Sequence, residues 1–400
     1  ANEASDVRVN ANCVPALFDD LAAMKRAQGA YSVELKDKHA FILDLFSGKN
    51  LNTRTQTAAL RYREKGRHAE WMSETKDVDS EKYQEQRKAS QMNREASTAT
   101  STSVDAKSIL HEMLGGDARL RRYLLLILGP AASGKTTLLK TFTMEIVHEH
   151  QHFVSVLIPI IEVVKVLDKC DRDAGESVVV AFIRHDYPQH AHLLLQAMLQ
   201  RRAVFLVDGI DESGTYREAV QDFITTELLE PGYKTVITSR HSGFSSDAFK
   251  QCKLVELLPL STDQQVQMVR TRVPNEARSQ ALIDELGTPA FKDIASNPLM
   301  LTMMVSVYVS NDYELISNRS ELYEKALRTL MGRSDKGRAG LKPAAQEKLL
   351  EHLQKLASAS HGREGERRIF TVAQATQWAG EGGWKTIEAA RGAGRLPIIS

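Results

Sequence analysis

Cysteine is scarce in this chain of 400 residues and follows no pairing pattern. The three cysteines, Cys13, Cys170 and Cys252, lie far apart and form no CxxC spacing. This usage excludes an even disulfide framework and is typical of reduced thiols in a cytosolic protein. We therefore expect a cytoplasmic location.

Long apolar runs and an excess of either charge are also absent. The longest apolar stretch, from Leu299 to Val309, is interrupted by Thr302 and Ser306. It is much shorter than the roughly 20 residues that cross a bilayer. Lys and Arg number 52 against 51 Asp and Glu, which gives a net charge of +1. We expect neither a membrane span nor a basic patch that binds nucleic acid.

The apolar content is nevertheless sufficient for ordinary cores. Hydrophobic residues make up 42% of the chain, which excludes wholesale disorder. No basic and then apolar leader follows Ala1, so we expect no secretory signal. The sequence ends at Ser400 within a stretch that has the pattern of a folded element, and we expect the chain to be a piece of a longer polypeptide.

Composition and periodicity predict several segments. These are an N-terminal helical segment (1–58), a polar linker (59–105), an α/β domain (106–260) and a helical part that begins at residue 261. In the first, helical faces are predicted from Leu17, Phe18, Leu21 and Met24 and from Phe41, Ile42, Leu45 and Phe46. Charges of both signs crowd the linker, which could hold only a solvated helix between Arg61 and Gln86.

The fold class expected for residues 106–260 is α/β with a parallel sheet. Short apolar runs predict strands at Tyr123–Leu128, Phe153–Ile158, Ala203–Val207, Lys234–Thr238 and Cys252–Leu257. Helical stretches separate them, as in a sheet that helices cover on both faces. After Ser261 only helical patterns follow, over 262–310 and 319–359.

A glycine-rich motif lies between the first of these strands and a helix. It reads Gly129, Pro130, Ala131, Ala132, Ser133, Gly134, Lys135 and Thr136, a complete GxxxxGK[ST], and Thr137 follows it. Such a loop directs backbone N–H groups at phosphate oxygens, while the lysine reaches the β- and γ-phosphates and the threonine hydroxyl binds Mg²⁺. A chance match is expected in about one or two per hundred chains of this length. The strand before it and the helix after it argue against chance.

An acidic cluster follows a second apolar strand. Val204 to Val207 leads into Asp208, Gly209, Ile210, Asp211 and Glu212. At the carboxyl edge of a parallel sheet, where ligands bind, Asp208 can hold Mg²⁺. Asp211 and Glu212 are then placed to polarise an attacking water. The alternative is a hairpin tip at the Asp-Gly pair. The position about 70 residues after the phosphate loop favours the metal site.

The next strand ends in Thr238, Ser239 and Arg240. A polar residue and an arginine at that edge would face the γ-phosphate and report its presence. A solvated strand end is the alternative if the tripeptide is considered alone.

The order of these blocks resembles the NACHT family, within the signal-transduction (STAND) class of P-loop ATPases that includes the NOD-like receptors. The resemblance spans about residues 106–400 and includes Asn297-Pro298-Leu299-Met300-Leu301 and Glu321-Leu322-Tyr323-Glu324-Lys325-Ala326. It implies a nucleotide-binding domain (106–260), a small helical domain (261–315) and a winged-helix region (316–400) truncated at Ser400. It also implies that Pro298 packs near the adenine. The family usually has proline after the TSR tripeptide, where this chain has His241.

The resemblance implies a slow ATPase switch that is closed with ADP and open with ATP. The expected cofactors are ATP or ADP and Mg²⁺, and the expected consequences are self-oligomerisation or release of an effector. Lys135, Thr136, Asp208, Asp211, Glu212 and Arg240 inherit the roles given above. The alternatives are an AAA-type mechanical ATPase, a scaffold that holds ADP without hydrolysis and, with least support, a small-molecule kinase.

A minor candidate is a metal pair of His148 and His152 on one helical face. A solvated helix end, where histidine suits the helix dipole, is the preferred interpretation.

Overall fold

The computed structural model describes residues 18, 21–43, 50–53, 60–64, 104–115, 124–168, 177–241, 248–250, 252–314, 316, 318–332, 341–361 and 370–392. The strands are β1 (Phe41–Leu43), β2 (Asn50–Asn52), β3 (Arg61–Glu64), β4 (Val104–Asp105), β5 (Leu124–Leu128), β6 (Val154–Pro159), β7 (Ala203–Asp208), β8 (Lys234–Ser239) and β9 (Lys253–Leu257).

The helices of the first part of the chain are α1 (Leu21–His39), α2 (Ala106–Gly115), α3 (Lys135–Glu149), α4 (Ile160–Leu167), α5 (Val178–Asp186), α6 (Ala191–Leu199) and α7 (Arg217–Phe223). The later ones are α8 (Thr262–Arg272), α9 (Glu276–Leu286), α10 (Lys292–Ala295), α11 (Pro298–Ser310), α12 (Arg319–Gly332), α13 (Pro343–His361), α14 (Val372–Ala379) and α15 (Glu381–Gly392). No helix among the described residues is long and apolar enough to cross a membrane.

The central sheet confirms the predicted α/β class. Its strand order is β4-β3-β9-β5-β8-β7-β6, and the strands from β9 to β6 are parallel. All five residues of β5 are buried, and β7 and β8 are buried along most of their length. Continuous apolar strands of this kind are stable only where helices cover both faces of the sheet. Because β8 lies between β5 and β7, the segments that follow these three strands meet at one edge.

Strand β3, which lies between β4 and β9, belongs to the segment that the sequence predicts to be a linker. It pairs antiparallel with β9, so that Tyr62 lies opposite Leu257 and Arg63 opposite Glu256. Tyr62 is buried. These residues therefore form a strand, where a solvated helix was the only structure expected. Most of the remaining predicted linker lies outside the described residues.

The helix α1 packs against the α/β core, mainly on α3. Tyr31 and Leu35 are each 1% exposed, and the Tyr31 hydroxyl donates to the carbonyl of Ser155 in β6 at 2.8 Å. Glu34 pairs with His190 at 2.7 Å. Since β6 is an edge strand, its outer carbonyls need partners, and Tyr31 supplies one of them. The helix is thus integrated into the α/β core.

The second helical face predicted for the N-terminal segment was wrong at Phe41 and Ile42. Phe41–Leu43 forms β1, which pairs with β2. Leu45, Phe46 and Leu17 lie outside the described residues. Phe18 and Met24, from the first predicted face, pack against the core.

A second compact unit contains the residues 43–50, 269–295 and 300–400. Its own apolar core is formed by helices α12 to α15 and includes Met331, Leu349, Leu356, Trp384 and Ile387. Every described element between 319 and 392 is a helix. The helical character predicted after Ser261 is confirmed, and the winged-helix region stays a prediction.

The core around α1 contains a histidine whose titration is linked to stability. His39 is 9% exposed, and burial lowers its pKa from 6.5 to about 4. The charges of Lys140 and Lys38 also lower this pKa, whereas the charge of Glu34 raises it. The unfolded chain therefore binds a proton between about pH 6.5 and 4 that the folded chain does not, so acid destabilises the fold in this window.

We expect His39→Phe to lessen this loss of stability. The free energy of unfolding of both proteins should decrease from pH 7 to pH 4. The decrease should be smaller in the variant, by up to about 3 kcal/mol, because the titrating group is removed. Urea unfolding at a series of pH values measures the difference. The control is His152→Phe at an exposed histidine, which should keep the wild-type slope. Equal slopes in all three proteins would contradict the assignment.

Candidate nucleotide site at the carboxyl edge of the sheet

The glycine-rich loop connects β5 to α3 as predicted. Gly134 has a φ of +91°, and a Cβ there would lie 3.0 Å from Leu60 Cδ1, so only glycine fits without strain. Thr136 and Thr137 lie in the first turn of α3, whereas Pro130, Ala131 and Ala132 are exposed. The loop therefore places an exposed surface at a helix N-terminus, which is suited to phosphate oxygens.

Two polar groups of the loop are suited to a ligand. Lys135 Nζ donates to the carbonyls of Gly129 and Pro130, both at 2.8 Å, which holds the ammonium against the loop. Ser133 Oγ is buried and has no hydrogen-bond partner among the described residues. A buried hydroxyl without a partner is costly, and a bound phosphate would satisfy it.

Asp208 is held by a threonine on the neighbouring strand. The Thr238 hydroxyl donates to Asp208 Oδ1 at 2.7 Å and accepts from the backbone N–H of Gly209 at 2.9 Å. Thr238 is fully buried. One side chain thus fixes both the carboxylate and the start of the turn after β7. From the sequence, a polar residue of the TSR tripeptide was expected to face the γ-phosphate beside Arg240, and the bond of Thr238 to Asp208 was not expected.

Asp211 is bonded to Arg240 by both of its carboxylate oxygens. Oδ2 lies 2.8 Å from Arg240 Nε, and Oδ1 accepts from the backbone N–H of Arg240 at 3.0 Å. The Asp211 side chain is 10% exposed, and the Arg240 side chain is 42% exposed. The contact uses one of the five guanidinium donors. Asp211 is therefore placed to orient Arg240.

Glu212 lies on the same short 3₁₀ turn, Ile210–Glu212, and its residue is exposed. Gly209, with a φ of +77°, allows the turn, and a Cβ there would meet the Glu212 carboxyl carbon at 3.2 Å. Although the residue as a whole is exposed, partial desolvation of its carboxylate raises the pKa of Glu212, and the charges of Asp208 and Asp211 raise it further. A carboxylate with a raised pKa is a better proton acceptor than an ordinary one.

The charged groups of the site act on one another. Burial lowers the pKa of Lys135, while the carboxylates of Asp211, Asp208 and Glu212 raise it and Arg240 lowers it. The structure thus brings together the predicted site residues of the phosphate loop, the acidic cluster and the TSR tripeptide.

The chemistry of the donors fits Mg²⁺. Mg²⁺ takes oxygen ligands and retains several waters, so a hydroxyl and one or two carboxylates suffice on the protein side. Thr136 is exposed at the start of α3, and Asp208 lies at the end of β7. Of the two oxygens of Asp208, Oδ1 is bonded to Thr238.

The asparagine before Pro298 contacts the phosphate loop. Asn297 Nδ2 donates to the carbonyl of Ala131 at 3.3 Å, and Asn297 Oδ1 accepts from the backbone N–H of Leu299 at 3.0 Å. Pro298, which begins α11, is thereby held beside the loop. Asn297 was not among the predicted site residues, although it is the first residue of the Asn297-Pro298-Leu299 motif that carries part of the family resemblance.

The histidine pair considered from the sequence does not form as described. The helix α3 ends at Glu149, so His148 and His152 do not share a helical face. Instead, His150 Nε2 lies 2.9 Å from His111 Nδ1 of α2. Within the described part of the chain, no group of three or more His, Cys, Asp or Glu residues could hold a metal ion. Cys252 is free, and burial raises its pKa to about 12, whereas Cys13 and Cys170 lie outside the described residues.

The parallel sheet carries a phosphate loop after β5 and an acidic residue, Asp208, at the end of β7, two strands away. This arrangement defines a P-loop NTPase. Residues 123–276 match the family model of the NACHT domain. This match confirms the resemblance to the NACHT family seen in the motifs. No curated protein matches the chain.

Solved structures of P-loop ATPases are similar to this chain. AMPPCP-bound DnaA from Aquifex aeolicus is 14% identical with a TM-score of 0.34, over 72% of this chain and 88% of that one. RuvB of Thermotoga maritima is 15% identical with a TM-score of 0.35, over 68% and 85%. The Aeropyrum pernix ORC1 protein in complex with DNA is 11% identical with a TM-score of 0.38, over 68% and 74%.

The bridging role of Thr238 can be tested with Thr238→Val, which keeps the shape and removes the hydroxyl. The Gly209 N–H then loses its buried partner, and we expect the free energy of unfolding to fall by about 1–3 kcal/mol. Mg²⁺-dependent nucleotide affinity should fall as well, because Asp208 is no longer fixed. Denaturant unfolding and nucleotide titration with and without Mg²⁺ measure the two effects.

The matched control is Thr238→Ser, which keeps the hydroxyl and should remain close to the wild type in Mg²⁺-dependent affinity. Loss of affinity in the serine variant, or none in the valine variant, would show that the hydroxyl does not position Asp208.

Proposed function

We propose that this protein binds ATP and ADP with Mg²⁺ and hydrolyses ATP slowly, as a molecular switch. The observation that carries the proposal is the convergence of Lys135, Asp208, Glu212 and Arg240 at one sheet edge, with Arg240 fixed by Asp211 of its own chain. Two positive groups and several carboxylates beside one phosphate loop are the groups that ATP hydrolysis uses.

The loop residues bind the phosphates in this proposal. Backbone N–H groups between Gly129 and Thr137 surround the phosphate oxygens, and Lys135 exchanges its carbonyl contacts for the β- and γ-phosphates. Thr136 and Asp208 hold Mg²⁺, which when bound neutralises developing negative charge on the phosphates. Pro298 packs beside the adenine, a role supported by the contact of Asn297 with the loop.

Glu212 acts as the general base. A water oxygen attacks the γ-phosphorus, its proton passes to the Glu212 carboxylate, and the bond to the bridging oxygen of ADP breaks, which yields ADP and inorganic phosphate. Asp211 is less suited to this role because both of its oxygens accept hydrogen bonds from Arg240. Asp211 instead supports catalysis by orienting that arginine.

Arg240 distinguishes ATP from ADP. Its terminal amino groups can bind a γ-phosphate, a contact that ADP cannot make, and a ligand shifts a two-state equilibrium only through such differential contacts. The shift then controls self-oligomerisation or the release of an effector. The contact of Arg240 with Asp211 of the same chain supports a role in which Arg240 contacts the nucleotide bound to its own chain. A switch requires such a contact.

Two substitutions test the site. We expect Lys135→Ala to weaken ATP and ADP binding by at least about a hundredfold, since it removes a charge that faces the phosphates. Glu212→Gln should keep binding within about twofold and slow phosphate release by about 10²–10⁴-fold, the usual contribution of a general base. Fluorescent-nucleotide titration and a phosphate-release assay measure these effects.

The matched control is Lys165→Ala, which removes a lysine from an exposed pair with Glu162 and should leave both assays unchanged. Hydrolysis by Glu212→Gln at the wild-type rate would exclude Glu212 as the base. Turnover of several per second in constitutive hexamers would favour a mechanical ATPase. Full nucleotide occupancy without any hydrolysis would favour a scaffold.

A further inference from the structure

A series of hydrogen-bonded polar side chains begins directly after Arg240. His241 Nε2 lies 2.8 Å from Glu256 Oε1, and Glu256 Oε2 lies 2.8 Å from Arg63 Nη2. The ionised carboxylate only accepts hydrogen bonds, so His241 Nε2 and Arg63 both donate to it. One carboxylate on β9 thus joins the segment after β8 to strand β3. We call this set the His241–Glu256–Arg63 network.

The network lies at the same sheet edge as the phosphate loop. Glu256 is opposite Leu128, the last residue of β5 before the loop, and opposite Arg63 in the antiparallel pairing with β3. The Glu256 side chain is 15% exposed, so its two contacts are partly shielded from water. Charge-assisted hydrogen bonds in such surroundings hold geometry better than exposed ion pairs.

Arg240 is therefore anchored on both sides. Asp211 holds its backbone N–H and Nε, and the next residue, His241, is tied to β9 through its ring. A guanidinium that must meet a γ-phosphate needs a fixed backbone, because small displacements weaken directional contacts. Loss of the second anchor would leave the arginine held by Asp211 and, at its carbonyl, by the Ser239 hydroxyl at 2.9 Å.

We propose that the His241–Glu256–Arg63 network positions Arg240, so that strand β3 sets how strongly the site prefers ATP over ADP. The proposal rests on the proposed function of Arg240 as the residue that contacts the γ-phosphate. His241, Glu256 and Arg63 are positioning residues. A change in the pairing of β3 with β9 would therefore alter the nucleotide preference of the site.

The test compares Mg²⁺-dependent binding of a non-hydrolysable ATP analogue and of ADP in the full chain. His241→Ala should raise the Kd of the ATP analogue by about tenfold and that of ADP by less than about twofold. His241→Gln keeps an amide donor and should restore most of the preference. Arg63→Met, which keeps the aliphatic stem, should act in the same direction by about threefold.

The matched control is His185→Ala, which removes a histidine paired with Asp186 at 2.9 Å on α5 and should leave the preference unchanged. Equal weakening of both nucleotides by His241→Ala, or no restoration by His241→Gln, would overturn the proposal in favour of a purely structural role.

A double-substitution cycle shows whether the effect passes through Arg240. In an Arg240→Ala background, His241→Ala should cause no further loss of preference. An undiminished tenfold loss there would overturn the proposal and leave the role of Arg240 intact. If Arg240→Ala alone does not change the preference, the proposed function of Arg240 fails together with this inference.

Discussion

The position of strand β8 between β5 and β7 is the constraint on which the site depends. It places the TSR tripeptide between the phosphate loop and Asp208, and it lets one buried hydroxyl, that of Thr238, bond both Asp208 and Gly209. Parallel strands bring their carboxyl ends to one edge, so residues far apart in sequence become neighbours. Without this order, the acidic cluster and Arg240 would lie on separate parts of the edge.

The electrostatics of the edge follow from this arrangement. Asp208, Asp211 and Glu212 repel one another, which helps to raise the pKa of Glu212, and Lys135 and Arg240 partly compensate. Such a cluster is costly in the folded chain, and phosphate groups with Mg²⁺ add further charges of both signs to it. The pairing of Asp211 with Arg240 relieves part of the repulsion and leaves Glu212 as the carboxylate suited to accept a proton.

The local patterns of the sequence predicted much of this. The strands β5 to β9 are apolar runs bounded by polar residues, and each lies within about two residues of its predicted bounds. The phosphate loop is a contiguous motif, and Asp208 follows directly from the apolar strand before it. These features depend on neighbouring residues, which is why sequence reasoning is sufficient for them.

The unpredicted features depend on contacts between distant parts of the chain. The polar strand β3 is stabilised by its pairing with β9, nearly 200 residues later, and has little apolar character of its own. The docking of α1 depends on Tyr31 reaching a carbonyl of β6. Asn297 and Glu256 have no pattern around them that indicates the loop carbonyl or the histidine that they contact.

The nucleotide that accompanies the purified protein tests the account most directly. The protein would be denatured with acid, and the released nucleotides identified and quantified by chromatography. We expect about one ADP per chain, because in the proposed resting state the switch is closed around ADP. Protein that carries no adenine nucleotide, and that binds neither added ATP nor added ADP, would contradict it.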